Sequence, residues 1–143
     1  MVVYELTHIY YRYDDELVHS PKGLGLYASY ESVLNAIQHF QKQPGFCENQ
    51  DAFSIRRRNV IGNICDGVVY EVLLYLHTED YEFEAEIDLG LFGDEDIANS
   101  ELKRYCLDNT KLIGSKDYIV EQIVNRCVLG RKEWVEGFVI DES

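Results

Sequence analysis

The chain has 143 residues, 46% of them hydrophobic, which is enough for one domain with a core that needs no disulfide or metal staple. Its formal net charge is −13, which argues against gripping nucleic-acid phosphates or an anionic membrane surface and for a basic macromolecular partner. No apolar run approaches the roughly 18 residues of a membrane span, and Met1-Val2-Val3-Tyr4-Glu5 lacks the basic and apolar regions of a signal peptide, so the expected setting is soluble and cytoplasmic.

The first expected strand covers Val2 to Tyr13, rich in Val, Ile and Tyr. Asp14-Asp15-Glu16 and Ser20-Pro21-Lys22-Gly23 mark a loop, and Leu24 to Tyr27 forms a short strand. Ser29 is placed to cap a helix whose apolar stripe is Val33, Leu34, Ile37 and Phe40, and Pro44-Gly45 ends it. Phe53 to Ile61 and Val68 to His77 read as further strands. A strand follows from Tyr81 to Phe92, and Asp94 then caps a helix carrying Ala98, Leu102, Tyr105 and Cys106. Tyr118 to Leu129 fits a helical stripe at Ile119, Val120, Ile123, Val124 and Cys127, but its β-branched content and the repeat described next favour a strand.

Short matches recur at near-constant offsets. Val2-Val3-Tyr4-Glu5-Leu6 returns as Val68-Val69-Tyr70-Glu71-Val72, Leu24-Gly25-Leu26-Tyr27 as Leu89-Gly90-Leu91-Phe92, and Val60-Ile61-Gly62 as Val128-Leu129-Gly130. The offsets of 66, 65 and 68 are too long for a solenoid and suit a half-domain. The expectation is a single domain, residues 1–143, built from two strand–strand–helix–strand halves, 1–67 and 68–143. Such halves give an α+β fold with a mixed or antiparallel sheet and its helices on one face.

Charge divides unevenly between the halves. Residues 1–67 carry a formal −2 and residues 68–143 a formal −11, with no Lys or Arg between Arg58 and Lys103. Nine acids lie between Glu79 and Asp96, which suggests that the second half has specialised. Within that stretch Glu82, Glu84, Glu86 and Asp88 alternate with Phe83, Ala85, Ile87 and Leu89, the period-two pattern of a strand with one acidic face. Successive carboxylates on such a face stand about 6.7 Å apart, a spacing at which like charges repel unless something positive meets them.

Three readings of this face stay open at the level of sequence. It is a solvated outer strand whose acids oppose edge-to-edge aggregation, with Arg56 and Arg58 as local counter-charges. It is a docking surface for a basic partner, with Asp80 and Tyr81 at its start and Asp94, Glu95 and Asp96 extending its field. Or it binds a divalent cation, although acids two apart on a flat strand do not converge on one ion.

Other chemistry is weakly signalled. Cys47, Cys65, Cys106 and Cys127 show neither CxxC spacing nor a nearby His. They are expected as reduced, small core hydrophobes rather than zinc ligands, and no metal or other cofactor is expected. Asp88 followed by Glu101-Leu102-Lys103 imitates a metal-dependent nuclease pattern, but Glu101 and Lys103 would stand about 200° apart around a helix. His8, His19, His39 and His77 come with no nucleophile elbow, phosphate loop or dinucleotide fingerprint. Tyr10, Tyr11, Tyr13 and Tyr81 suit either sheet packing or interface anchoring, and Trp134 suits packing.

Lys22-Gly23-Leu24-Gly25-Leu26-Tyr27-Ala28-Ser29, a helix, Gln43-Pro44-Gly45-Phe46 and finally Trp134-Val135-Glu136-Gly137-Phe138 resemble a family of short bacterial proteins of unknown function. That family shows a LIGxYSS strand-to-cap, LPGF and a closing WxEGF, and the resemblance transfers no catalytic residue. In overall profile the chain is similar to immunity proteins of bacterial toxin systems, including contact-dependent growth inhibition. That similarity implies a non-enzymatic inhibitor of a basic toxin domain, such as a nuclease, with Asp80, Tyr81, Glu82, Glu84, Glu86, Asp88, Asp94, Glu95 and Asp96 as the partner-binding residues. The alternatives are an acidic DNA mimic acting on a nucleic-acid-binding protein and a metal-dependent hydrolase using the central carboxylates.

Overall fold

The structure, a computed structural model, describes residues 1–8, 22–43, 46 and 52–132. The elements in chain order are β1 (Val2–His8), β2 (Lys22–Tyr27), α1 (Tyr30–Phe40), β3 (Phe53–Ile61), β4 (Val68–His77), β5 (Glu84–Phe92), α2 (Glu95–Asp108), α3 (Thr110–Ile113) and β6 (Ile119–Val128). β1 hydrogen-bonds with β2, and in the part of the chain from Asn59 the strand order is β3-β5-β4-β6. β3 runs parallel to β5, whereas β1–β2, β4–β5 and β4–β6 are antiparallel. The fold is thus α+β on a mixed sheet, as the patterning predicts. Tyr118 to Leu129 resolves as strand, because Ile119–Val128 pairs residue for residue with β4. The expectations for Ile9–Tyr13, Asp14–Glu16, His19, Pro44-Gly45, Cys47 and Trp134–Phe138 fall outside the described residues.

By contacts the chain divides into two compact units: Met1 with Asn59–Val128, and Val2–Arg58 with Leu129–Ser143. In the second of these, α1 starts where the Ser29 side chain accepts the Ser32 N–H at 3.1 Å, as its N-cap position predicts. The helix buries Val33, Ala36 and Phe40 against Leu6, Leu24 and Tyr27, with Phe46 completing the cluster. Leu34, expected in the stripe, is exposed and Ala36 takes its place, because 33, 36 and 40 share a face and 34 lies about 100° from 33. The Tyr27 hydroxyl donates to the Leu24 carbonyl at 2.7 Å, so the buried ring carries no unpaired donor. His8 is buried edge-on between Phe46 and Phe53, with ring centroids 4.8 and 4.9 Å away.

The acid-rich unit has its own capped helix packed on its strands. Asp94 caps α2 by accepting the Asp96 and Ile97 N–H groups at 2.7 and 3.3 Å. Ala98 and Leu102 then pack on Val72, Leu74 and Phe92, with Tyr105 and Cys106 alongside. The cysteines depart from expectation in one respect: Cys65 is exposed and Cys106 and Cys127 are half-buried.

Candidate functional site

β4 is the central strand of its unit and fixes which side chains meet. Its register sets His77 between Glu84 and Ile119, Tyr75 between Glu86 and Glu121, and Leu73 between Asp88 and Ile123. The alternate residues Tyr70, Val72 and Leu74, with Ile87, Leu89, Val120 and Val124, face α2 and α3. The first set therefore forms the helix-free face of β4–β5–β6, since neighbouring residues on a strand point to opposite sides. Glu84, Glu86 and Asp88 are exposed there. With strands about 4.8 Å apart, a column of acids on β5 and Glu121 on β6 flank a central column of Leu73, Tyr75 and His77.

Among the described residues of β4, β5 and β6, little positive charge stands beside Glu84 and Glu86. The three strands contain one basic residue, Arg126, and it sits opposite Tyr70 on the helix side. Arg56 and Arg58, candidate counter-charges from the sequence, ion-pair with Glu5 at 3.0 and 2.9 Å. Among the described residues, no salt bridge is made by Glu82, Glu84 or Glu86. The Tyr75 hydroxyl donates to the Glu84 carboxylate. That hydrogen bond, reinforced by desolvation and the nearby negative charges of Glu84 and Glu121, pushes the phenol up to about 12.

The β4–β5 turn corrects the expected start of the acidic strand. Glu82 and Phe83 precede β5, which begins at Glu84. The Asp80 carboxylate accepts the Thr78 hydroxyl at 2.8 Å and the Glu82 N–H at 3.1 Å, and the Thr78 hydroxyl accepts the Phe83 N–H at 3.1 Å. These donors lower the Asp80 pKa, the Glu82 N–H foremost and the Thr78 hydroxyl next. Tyr81 takes a left-handed φ of 59°. Its ring stacks on buried His77, centroids 4.3 Å apart and planes 5° from parallel, while 58% of the residue stays exposed. Phe83, expected on the buried face, is 47% exposed and meets Tyr118 at 5.5 Å.

The nine residues singled out in the sequence thus divide. Glu84, Glu86 and Asp88 share one face, with Asp80, Tyr81 and Glu82 in the turn at its end. Asp94, Glu95 and Asp96 follow β5 at its far end, about 26 Å from Glu84 along the strand by the usual rise per residue, and form the first turn of α2. There carboxylates complement the helix dipole, which is an ordinary structural use. Tyr75, His77, Ile119 and Glu121 belong to the same surface. Sequence reasoning passes over them because their role depends on β4 lying between β5 and β6.

Among the described residues, no group of three His, Cys, Asp or Glu side chains is arranged to hold a metal ion. Glu101 is held by Arg104 one turn on in α2, and among the described residues no helix is long and apolar enough to cross a membrane. The chain matches no protein-family model, no curated protein and no solved structure.

Proposed function

We propose that the protein is a non-enzymatic binding protein, an immunity protein that neutralises a basic toxin domain in the cytoplasm. In this reading the helix-free face of β4–β5–β6 lies over the groove the toxin uses for nucleic acid, and Glu84, Glu86 and Asp88 stand in for phosphates. The observation that supports it is a row of exposed carboxylates around half-buried apolar and aromatic side chains, without a described salt bridge at Glu82, Glu84 or Glu86. A sheet face evolved for its own stability alone would place opposite charges across from such acids. Complementary charge across an interface chiefly raises the association rate and selects the partner.

The test is co-purification with the toxin domain encoded beside this chain, together with growth rescue when that domain is induced. Salt-sensitive nanomolar binding with rescue supports the proposal, and E84K/E86K then weakens binding and flattens its salt dependence. Unchanged affinity of E84K/E86K at low salt removes the face from the interface. Capture of many DNA-binding proteins in place of one partner shifts the reading to a DNA mimic.

A further inference from the structure

His77 is a buried ionisable side chain set between exposed neighbours. It is 3% exposed, although Glu84 and Ile119, across from it on β5 and β6, are exposed. The Tyr81 ring covers it, stacked with centroids 4.3 Å apart. Buried polar atoms ordinarily find partners, and the two ring nitrogens fare differently. Nδ1 lies 2.9 Å from the Thr78 carbonyl oxygen. A carbonyl oxygen accepts and never donates, so Nδ1 carries the hydrogen of the neutral ring and donates it. Nε2 is then left with a lone pair, and it faces the Glu121 carboxylate at 4.0 Å. Two acceptors meet there, beyond hydrogen-bond distance. A proton on Nε2 turns this meeting of acceptors into a charge-assisted hydrogen bond, which would draw the pair in by about 1 Å. The Glu121 side chain is 57% exposed, which leaves it room to make that move.

We propose that His77 is a proton-operated latch between the β4–β5 turn and β6. Protonated, its ring bridges the Thr78 carbonyl and the Glu121 carboxylate; neutral, it keeps the Thr78 bond and releases β6. The inference goes beyond the binding reading above and holds whatever the partner is. The titratable groups facing the ring are Tyr75 from its own strand, Tyr81 from the turn, Glu84 from β5 and Glu121 from β6. Glu84 is engaged by the Tyr75 hydroxyl. Glu121 makes no other ion pair among the described residues, so it is the carboxylate left for His77. The same proton acts on the turn. Tyr81 holds a left-handed φ of 59°, a conformation that its surroundings must maintain. An imidazolium beneath the Tyr81 ring attracts its face more strongly than a neutral imidazole does. Protonation also places a positive charge within the carboxylate face, so the latch closes as that face loses part of its negative field.

The experiment follows imidazole-nitrogen and amide shifts of the labelled full chain from about pH 8 to about pH 5, the span in which histidines change charge. His77→Gln assigns the His77 ring signals. The expected neutral ring carries its hydrogen on Nδ1. As the ring takes its second proton, the amides of Thr78, Tyr81 and Ile119–Glu121 should shift in step with it. Glu121→Ala removes an exposed side chain and keeps His77. It should abolish the shift at Ile119–Glu121 while the ring still takes up its proton. The parent alone already decides against the latch if the ring stays neutral throughout, if the neutral ring carries its hydrogen on Nε2, or if the β6 amides ignore it. Coupling that persists in Glu121→Ala overturns it as well.

Discussion

Asp80 shows how one side chain's job depends on where its oxygens go. As one acid of nine between Glu79 and Asp96 it reads as part of a field, yet its carboxylate ties the β4–β5 turn together. Its lowered pKa gives the sign of the effect. A carboxyl whose folded pKa lies below its unfolded value contributes stability above the unfolded pKa and loses it as pH falls through the folded one. The amide signals of Glu82 and Phe83 should therefore shift in acid, below the ordinary carboxylate range, and Asp80→Ala should show the opened turn already at pH 7. An unchanged Asp80→Ala spectrum would mean that the Thr78 bonds suffice. Tyr75 offers a matching test at high pH. The difference in alkaline absorbance titration between the parent and Tyr75→Phe should have its midpoint near 12. A midpoint near the ordinary tyrosine value of about 10 would show that the Glu84 bond does not persist in solution.

At the scale of elements, most of the secondary structure is legible because apolar periodicity and capping residues agree. Phe53–Ile61 and Val68–His77 fall where β-branched and aromatic runs put them, and Ser29 and Asp94 cap the helices that follow. The content of the recurring Leu-Gly-Leu pair is legible only in three dimensions. Tyr4 faces Tyr27 in one hairpin and Tyr70 faces Phe92 in the other, and each pairing then slips at its glycine's level. Gly25 has φ +113° and Gly90 φ +117°, so each glycine supplies backbone freedom at a β-bulge. The two positions differ in surroundings. A Cβ on Gly25 would come 2.5 Å from the Arg131 carbonyl oxygen, whereas one on Gly90 meets only Phe92 ring atoms at 3.7 Å or more. Both alanine substitutions should destabilise by about 1 kcal/mol or more from the positive φ, and Gly25→Ala by clearly more than Gly90→Ala in denaturant melts. Equal losses would show that the segment at Arg131 yields freely.

At the scale of the whole molecule, the charge that makes the acidic face visible in the sequence also opposes folding. A net −13 repels itself, and the half from residue 68 carries most of it. What the sequence does not show is which acids already have work to do. Asp94 caps a helix and Asp80 a turn, whereas Glu86 has no described salt bridge, and a count of acids along the sequence treats all three alike. That difference gives a last expectation. Glu86→Gln removes repulsion without removing a described bond, so it should raise the melting temperature by about 1–2 °C, within the usual range for surface substitutions. Raising ionic strength from about 0.01 to 0.15 M, which shortens the Debye length from about 30 to 8 Å, should stabilise the parent more than the variant. If the face serves a basic partner, the same substitution should slow association with that partner, so stability and binding move in opposite directions. A variant that melts lower and binds as before would show instead that Glu86 is held by contacts within its own sheet, and the acidic face would then be explained by folding alone.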